Sequence, residues 1–132
     1  MIIGLGVDMV ELNKMESALH NHPHFIERIL TRNEIADLPT QQQRRIEFIA
    51  GRFAVKEAVS KALGTGIGQY LSWQDIEIIK QPTGEPKVLL LPQLFSKHPR
   101  LRGLTSEELF IWCSISHTGH DAIAQVLIER KY

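Results

Sequence analysis

Cysteine is nearly absent from this sequence, and a net charge and long apolar runs are absent altogether. Cys113 is the one cysteine in 132 residues, which excludes an internal disulfide and favours a reducing, cytoplasmic location. The N-terminus lacks the basic flank and apolar core of a signal peptide, and no apolar run reaches bilayer length. Fifteen basic and fifteen acidic side chains cancel, so the whole molecule has no field that would hold nucleic acid or an anionic membrane. We therefore expect neither of these partners, and any anion site must be a local cluster of cations.

The length of the chain suits one hydrophobic core and is too short for two, so we expect residues 1–132 to form a single domain. Residues 2–7 are apolar and partly β-branched, which predicts a short strand. On that strand Gly4, Gly6 and Asp8 share one face. The two glycines are expected to leave open space beside Asp8.

Apolar residues then recur at helical spacing. The pattern predicts a surface helix over residues 10–19, and a histidine-rich hinge around Pro23 then leads into residues 25–30. Thr31 and Glu34 have the spacing of a capping box, which predicts a second, short helix that stops near Pro39.

One long helix is the predicted central element. Thr40 and Gln43 repeat the capping-box spacing, no proline occurs between them and Gly64, and Gly64 is a natural C-terminal stop, so we expect a helix over residues 41–63. Apolar residues cover most of its circumference, which indicates a buried position. They leave one polar stripe, formed by Lys56, Glu57, Ser60 and Lys61.

The second half of the chain is predicted to be mainly strands, and the last two should form a hairpin across residues 118–121. These strands cover residues 76–80, 87–91, 110–116 and 122–128. Between the second and third, residues 92–108 are expected to hold a short helix and a helical turn, with no assigned function. The expected fold class is α+β, with an N-terminal strand and helices, and a long central helix packed on a mainly antiparallel sheet formed by the C-terminal strands.

The polar stripe of the long helix is the strongest functional signal. Burying unpaired charges is costly, so such a stripe must face charge partners, water, a subunit interface or a ligand. An internal salt bridge would explain it, because Glu57 and Lys61 are four residues apart. Arg52 adds a cation on nearly the same side as Lys56, and three cations around one carboxylate favour an anion site. Both interpretations remain open on this segment alone.

Asp8 is the second signal. Taken alone, an Asp just before a predicted helix is more often an N-cap than a ligand. However, magnesium binds a few carboxylate oxygens and completes its octahedron with water and phosphate oxygens. Two acids with clustered lysine and arginine therefore suit a magnesium site, although the spacing does not place Asp8 beside Glu57.

Three further motifs carry less weight. The glycine-rich loop over residues 64–68 could bring backbone amides to a phosphate, but it lacks the Gly-Lys-Ser/Thr ending of a P-loop, and a flexible helix stop is the simpler explanation. Ser114 and Ser116 share a strand face and His117 follows them, which favours ligand or turn contacts over a nucleophile. The histidines within residues 20–24 lack partners at zinc-ligand spacing and indicate a solvated hinge.

Three segments of the sequence resemble the holo-acyl-carrier-protein synthases, which are small phosphopantetheinyl transferases. The segments are GLGVDMVE at residues 4–11, FIAGRFAVKEA at residues 48–58 with GTG at 64–66, and SISHT at residues 114–118. Together they span most of the chain in the family's order. The middle segment is highly specific in this context, because Lys56-Glu57-Ala58 is followed by Lys61-Ala62.

The resemblance implies transfer of the 4′-phosphopantetheine arm of coenzyme A to a serine of apo acyl carrier protein, with release of adenosine 3′,5′-bisphosphate. It implies that Asp8 and Glu57 hold Mg²⁺ and act with Lys61 as the catalytic residues. A water held by the metal or by these carboxylates is the preferred base for the carrier serine. The implied contacts to coenzyme A are Arg52, Lys56, Lys61, Gly64, Thr65, His117 and Thr118.

The resemblance also implies a homotrimer with active sites at subunit interfaces. In the family, the region of the first helix presents cationic and apolar residues to the acidic carrier protein. The matching residues in this chain are Lys14, Met15, Leu19, Phe25 and Arg28.

Two departures from the family affect these expectations. Trp112 stands where many relatives have a histidine, which removes any catalytic histidine at that position. His20, His22 and His24 stand where relatives carry more arginine. We therefore expect carrier binding to strengthen when these histidines protonate below about pH 6.5.

Two other classes of function remain open at this point. One is a non-catalytic module that binds coenzyme A or a nucleotide through the same charges. The other is a structural α+β interaction domain in which the polar stripe is only a subunit contact.

Overall fold

The computed structural model describes residues 1–131 and has the α+β architecture expected from the sequence. The helices are α1 (Leu12–Asn21), α2 (Phe25–Ile29), α3 (Arg32–Ala36), α4 (Gln42–Leu63) and α5 (Pro92–Lys97), with 3₁₀ turns at Trp73–Asp75 and Ser106–Glu108. The strands are β1 (Ile2–Glu11), β2 (Ile76–Lys80), β3 (Pro86–Leu90), β4 (Leu109–His117) and β5 (Asp121–Arg130). The main sheet is antiparallel with the order β1-β5-β4, and β2 and β3 form a separate hairpin.

The N-terminal strand is longer than predicted. It continues to Glu11 because it pairs with β5 as far as the Glu11–Asp121 pair. Helix α1 consequently begins at Leu12 rather than at residue 10. A pairing between the two ends of the chain has no local sequence signal, so the apolar pattern alone ended the strand too early.

Helix α4 packs on one face of the main sheet and has the predicted length and stop. Gly64 caps its C-terminus with φ 81°, a left-handed conformation that favours glycine. Its predicted N-terminal capping box of Thr40 and Gln43 was wrong. Gln41 is the N-cap instead, and its side chain accepts a hydrogen bond from the Arg44 amide at 2.7 Å.

The glycines of β1 bring the strand and α4 together rather than leaving open space. A Cβ placed on Gly4 would lie 1.7 Å from the Ala62 carbonyl oxygen, and one on Gly6 would lie 1.9 Å from that of Ala58. The helix backbone fills the expected space, so Asp8, on the same face, is directed towards α4.

The opposite face of the main sheet is exposed and largely apolar. On β1, Leu5, Val7 and Met9 keep more than half of their surface exposed, and on β4 Trp112 is 59% exposed. A contiguous group of exposed apolar side chains on one sheet face indicates an interaction surface. Across residues 1–131, each helix is too short or too polar to cross a lipid bilayer.

Candidate active site

Asp8 and Lys61 form the first part of the site. The Lys61 ammonium lies 3.1 Å from Oδ1 of Asp8 and also donates to the Val7 carbonyl at 2.9 Å. Lys61 is on the last turn of α4, and the close packing of β1 against this helix sets the distance. The salt bridge considered between Glu57 and Lys61 is therefore replaced by one between the helix and the strand.

Glu57 lies one turn before Lys61 and lines a cleft of about 400 Å³ together with Asp8. The pKa of Glu57 is raised, first by burial and then by the negative charge of Asp8, while Lys61 acts in the opposite direction. Two carboxylates that repel each other in this way suit a bound cation. The structure thus brings Asp8, Glu57 and Lys61 together.

The donor set of this cleft fits magnesium. Within residues 1–131, no three acidic, histidine or cysteine side chains converge on one point. Magnesium does not need such a cage, because it keeps several waters and binds through one or two carboxylates plus substrate phosphates. Asp8 and Glu57 supply that minimum, with hard oxygen ligands and excess negative charge.

A second cleft, of about 590 Å³, is lined by two cationic residues, one histidine and one acidic residue, Asp37. Arg52, His117 and Lys80 line it, and the Arg52 guanidinium lies 3.7 Å from the centre of the Phe48 ring. Nε of Arg52 is buried and has no hydrogen-bond partner in the part of the chain that the structure describes. Such a donor group favours an anionic ligand, because an unsatisfied buried donor is costly.

Lys56 is in neither cleft. Its side chain is fully buried, and its ammonium contacts Oε1 of Glu34 at 2.7 Å and the carbonyls of Ile29 and Trp73 at 2.6 and 3.1 Å. Glu34 in turn accepts a hydrogen bond from the Ile78 amide. Lys56 therefore joins α4 to α2, α3 and the 3₁₀ turn at Trp73–Asp75, and its ammonium group is fully engaged by these three partners.

The residues of the predicted polar stripe consequently lie in different environments. Ser60 is also buried and donates to the Glu57 carbonyl at 2.6 Å. Successive residues of a helix point in different directions, and here the packing of α2 and α3 covers one side of the stripe. Of the stripe, only Glu57 lines the first cleft, and Lys61 reaches it through its ion pair with Asp8.

The remaining predicted coenzyme A contacts lie in two loops. Gly64 and Thr65 are exposed at the end of α4. Thr118 begins the turn between β4 and β5, where its hydroxyl accepts hydrogen bonds from the amides of His120 and Asp121. His117 precedes it and has Nε2 3.3 Å from the Glu47 carbonyl oxygen.

Three of the predicted carrier contacts line the first cleft. These are Lys14, Met15 and Phe25. Met15 is only 3% exposed, so it forms the floor rather than a contact surface. Leu19 lines a neighbouring groove, and Arg28 is exposed on α2.

Sequence reasoning missed Lys80 and Glu34. Lys80 ends β2 directly before the 82–86 turn. A cation beside a turn that contains glycine could have been recognised from the sequence as a candidate anion contact. The sequence predicted Glu34 only as a capping residue. It has that role, since its Oε1 accepts a hydrogen bond from the Thr31 amide at 2.8 Å. Its second role opposite Lys56 has no sequence signal, because the two residues are 22 positions apart.

Comparison with other proteins agrees with this architecture. The profile of the 4′-phosphopantetheinyl transferase superfamily matches residues 4–122. The chain is 45% identical over 131 residues to holo-[acyl-carrier-protein] synthase of Anoxybacillus flavithermus, covering 98% of each chain. It is 40% identical over 133 residues to that of Staphylococcus aureus, covering 99% of this chain and 98% of the relative.

Solved structures give the same result. A holo-(acyl-carrier-protein) synthase from Bacillus anthracis in complex with CoA (3′,5′-ADP) has a TM-score of 0.77 at 42% identity, covering 98% of each chain. The synthase from Neisseria meningitidis has a TM-score of 0.81 at 31% identity, covering 98% of this chain and 100% of the other. The chain therefore belongs to the 4′-phosphopantetheinyl transferase superfamily.

Proposed function

We propose that this protein transfers the 4′-phosphopantetheine arm of coenzyme A to a serine hydroxyl of apo acyl carrier protein. The observation that carries the proposal is the meeting of Asp8, Glu57 and Lys61, which come from two of the segments that resemble the family. The relatives named above are holo-acyl-carrier-protein synthases, and one of them binds coenzyme A.

In this reaction the serine oxygen forms a bond to the phosphorus next to the pantetheine arm. The bond from that phosphorus to the 5′-phosphate oxygen of the nucleotide breaks, and adenosine 3′,5′-bisphosphate leaves with the electron pair. A water held by the Asp8 and Glu57 carboxylates is suited to take the serine proton. Lys61 neutralises phosphate charge beside it.

We propose Mg²⁺ as the metal, held by Asp8 and Glu57. When bound, it would screen the diphosphate oxygens and favour departure of the nucleotide. Asp8 and Glu57 supply only two carboxylates, and phosphate oxygens of coenzyme A would complete the ligand set, so magnesium is expected to bind far more tightly when coenzyme A is present.

We also propose a homotrimer with active sites between subunits. Asp8 and Glu57 line one cleft, whereas Arg52 and His117 line another, and the two clefts share no residue. β1 and β4 are opposite edges of the sheet. A head-to-tail ring would place the first cleft of one subunit beside the second cleft of the next, and would cover the apolar sheet face.

The carrier protein is proposed to dock beside the first cleft. Lys14 and Phe25 lie at its edge, Leu19 and Arg28 lie nearby, and Met15 supports them from the core. Lysine and arginine there suit the acidic surface of a carrier protein. Burial raises the pKa of the half-buried Cys113 to about 11, so its thiol is unreactive. A single cysteine without a disulfide partner supports the proposed cytoplasmic location.

The test is a mass measurement on the carrier. The protein is incubated with coenzyme A, Mg²⁺ and apo carrier protein, and the carrier should gain one phosphopantetheine. Asp8→Asn and Glu57→Gln should abolish the gain while the variants remain folded. Coenzyme A binding without a change in carrier mass would show a non-catalytic module, and neither binding nor transfer would leave only a structural domain.

A further inference from the structure

His98 is a fully buried histidine that belongs to neither cleft. It follows α5, in the 92–108 segment to which the sequence assigned no function. Its Nε2 lies 3.0 Å from the Thr65 hydroxyl, and its Nδ1 accepts a hydrogen bond from the Arg100 amide at 3.1 Å. The imidazole therefore connects this segment to the loop after α4.

The contacts of His98 determine its tautomer. Because Nδ1 accepts a hydrogen bond, the proton of the neutral ring is on Nε2, which donates to the Thr65 hydroxyl. That hydroxyl then donates to the Gly66 carbonyl at 3.1 Å. Burial first, and the charge of Arg100 second, lower the pKa of His98 and keep the ring neutral. One directed chain of hydrogen bonds thus runs from the Arg100 amide to the Gly66 carbonyl.

Arg100 contacts the same loop independently. Its Nη1 donates to the Ala62 carbonyl at 3.1 Å, which satisfies one of the free carbonyls at the end of α4. Its guanidinium also covers Gly64, where an added Cβ would lie 2.7 Å from Nη2. Two neighbouring side chains of one segment therefore hold the 64–66 loop.

We propose that His98 is a positioning residue for the coenzyme A site, acting by fixing the Thr65 hydroxyl and with it the 64–66 loop. The inference rests on the proposed function and on the expectation, drawn from the family resemblance, that Gly64 and Thr65 contact coenzyme A. Arg100 binds the C-terminal end of α4 next to this loop. The 92–108 segment then has a function, because it carries the pair that holds this loop.

A matched pair of variants tests the proposal. In His98→Gln the amide nitrogen can take the place of Nε2, so the donor to Thr65 is kept. In His98→Asn the amide oxygen can take the place of Nδ1, so only the contact to the Arg100 amide is kept. KM for coenzyme A and kcat are measured for both, and for Thr65→Val and the His98→Asn/Thr65→Val double variant.

His98→Asn should raise KM for coenzyme A by about two- to tenfold, the range of one neutral hydrogen bond, with kcat and KM for the carrier nearly unchanged. His98→Gln should stay close to the wild type. In the double variant, His98→Asn should add nothing to the effect of Thr65→Val. Equal effects of Asn and Gln, or fully additive effects in the double variant, would overturn the proposal.

A second measurement needs no substrate. Long-range ¹H–¹⁵N NMR of the histidine rings should show His98 neutral with its proton on Nε2, and the Thr65 amide signal should shift in His98→Asn more than in His98→Gln. A proton on Nδ1 would overturn the contact itself. An inactive wild-type protein would instead count against the proposed function, and the NMR result would still decide the role of His98 in the loop.

Discussion

The ammonium nitrogen of Lys56 lies 2.7 Å from Oε1 of Glu34, and the two side chains are 0% and 1% exposed. Burial lowers the pKa of Lys56, and the Glu34 carboxylate opposes that shift. This pair joins the central helix to α3, so Lys56 has a structural role where the sequence predicted a phosphate contact.

Lys56→Met should therefore destabilise the protein strongly. It leaves the Glu34 carboxylate buried without its cation, which costs about 3–5 kcal/mol. Urea unfolding at a fixed protein concentration measures the loss. The control is Lys61→Met, because Lys61 is 53% exposed and its ion pair should contribute less than about 1 kcal/mol. A Lys56→Met/Glu34→Gln double variant should regain part of the stability, and equal stability of the two single variants would contradict the prediction.

Gly6→Ala should displace β1 from α4. The added methyl group would lie 1.9 Å from the Ala58 carbonyl oxygen, and neither backbone can yield easily. We expect a loss of at least about 1–3 kcal/mol in the free energy of unfolding, together with a loss of transfer because Asp8 moves with the strand. Gly68→Ala is the control, since nothing lies within 4 Å of its added Cβ. A stable and active Gly6→Ala would show that this contact does not position Asp8.

Glu57→Gln should stabilise the metal-free protein at neutral pH. The pKa of Glu57 is raised in the folded state, so the folded state holds this proton to higher pH than the unfolded state does. Protonated Glu57 therefore stabilises the folded state, and this contribution is lost as pH rises through the raised pKa. Glutamine stays neutral at every pH and does not lose it. Melting curves in EDTA should show a gain at pH 7.5 that disappears near pH 4. Glu107→Gln, at an exposed position, should show no such gain. A Glu57→Gln variant less stable than the wild type at pH 7.5 would refute the prediction.

Two inactive variants should complement each other if the sites lie between subunits. Asp8→Asn damages the first cleft and Arg52→Ala damages the second, so each alone should have little activity. After unfolding, mixing in equal amounts and refolding, random ring assembly should restore about a quarter of the wild-type activity. Mixing without subunit exchange is the control. No recovery in a mixture proven to contain mixed oligomers would refute the shared site.

The histidines before α2 should make carrier binding depend on pH. His20, His22 and His24 are all exposed, and His20 lines a groove with Arg45. Carrier affinity is measured at pH 6.0 and 7.5 for the wild type and for a triple His→Gln variant at these positions. The wild type should bind more tightly at pH 6.0, and the triple variant should lose most of that difference. The same pH dependence in both proteins would exclude the histidines as its cause.

Local sequence patterns predicted much of the fold. The capping box of Thr31 and Glu34 is present, Gly64 ends the long helix, and β2 has the predicted bounds of residues 76–80. These features depend on contacts within one turn or one strand, so the residues that specify them are neighbours in the sequence. The Gln41 cap was missed because glutamine is not among the preferred N-cap residues, whereas the adjacent Thr40 is.

The candidate site was only partly predictable, because its geometry depends on residues far apart in the chain. The sequence by itself determined which charged residues are present, that α4 is apolar enough to be buried, and that the motifs resemble one family. Only the tertiary structure decided which charges meet. Close packing at Gly6 brings Asp8 to Lys61, and the covering of α4 by α3 takes Lys56 into the core. Arg52 and Glu57 point in different directions on α4 and therefore line different clefts. Helix periodicity gives the direction of a side chain, but the element packed against it determines whether that side chain meets a ligand, a counter-charge or the core.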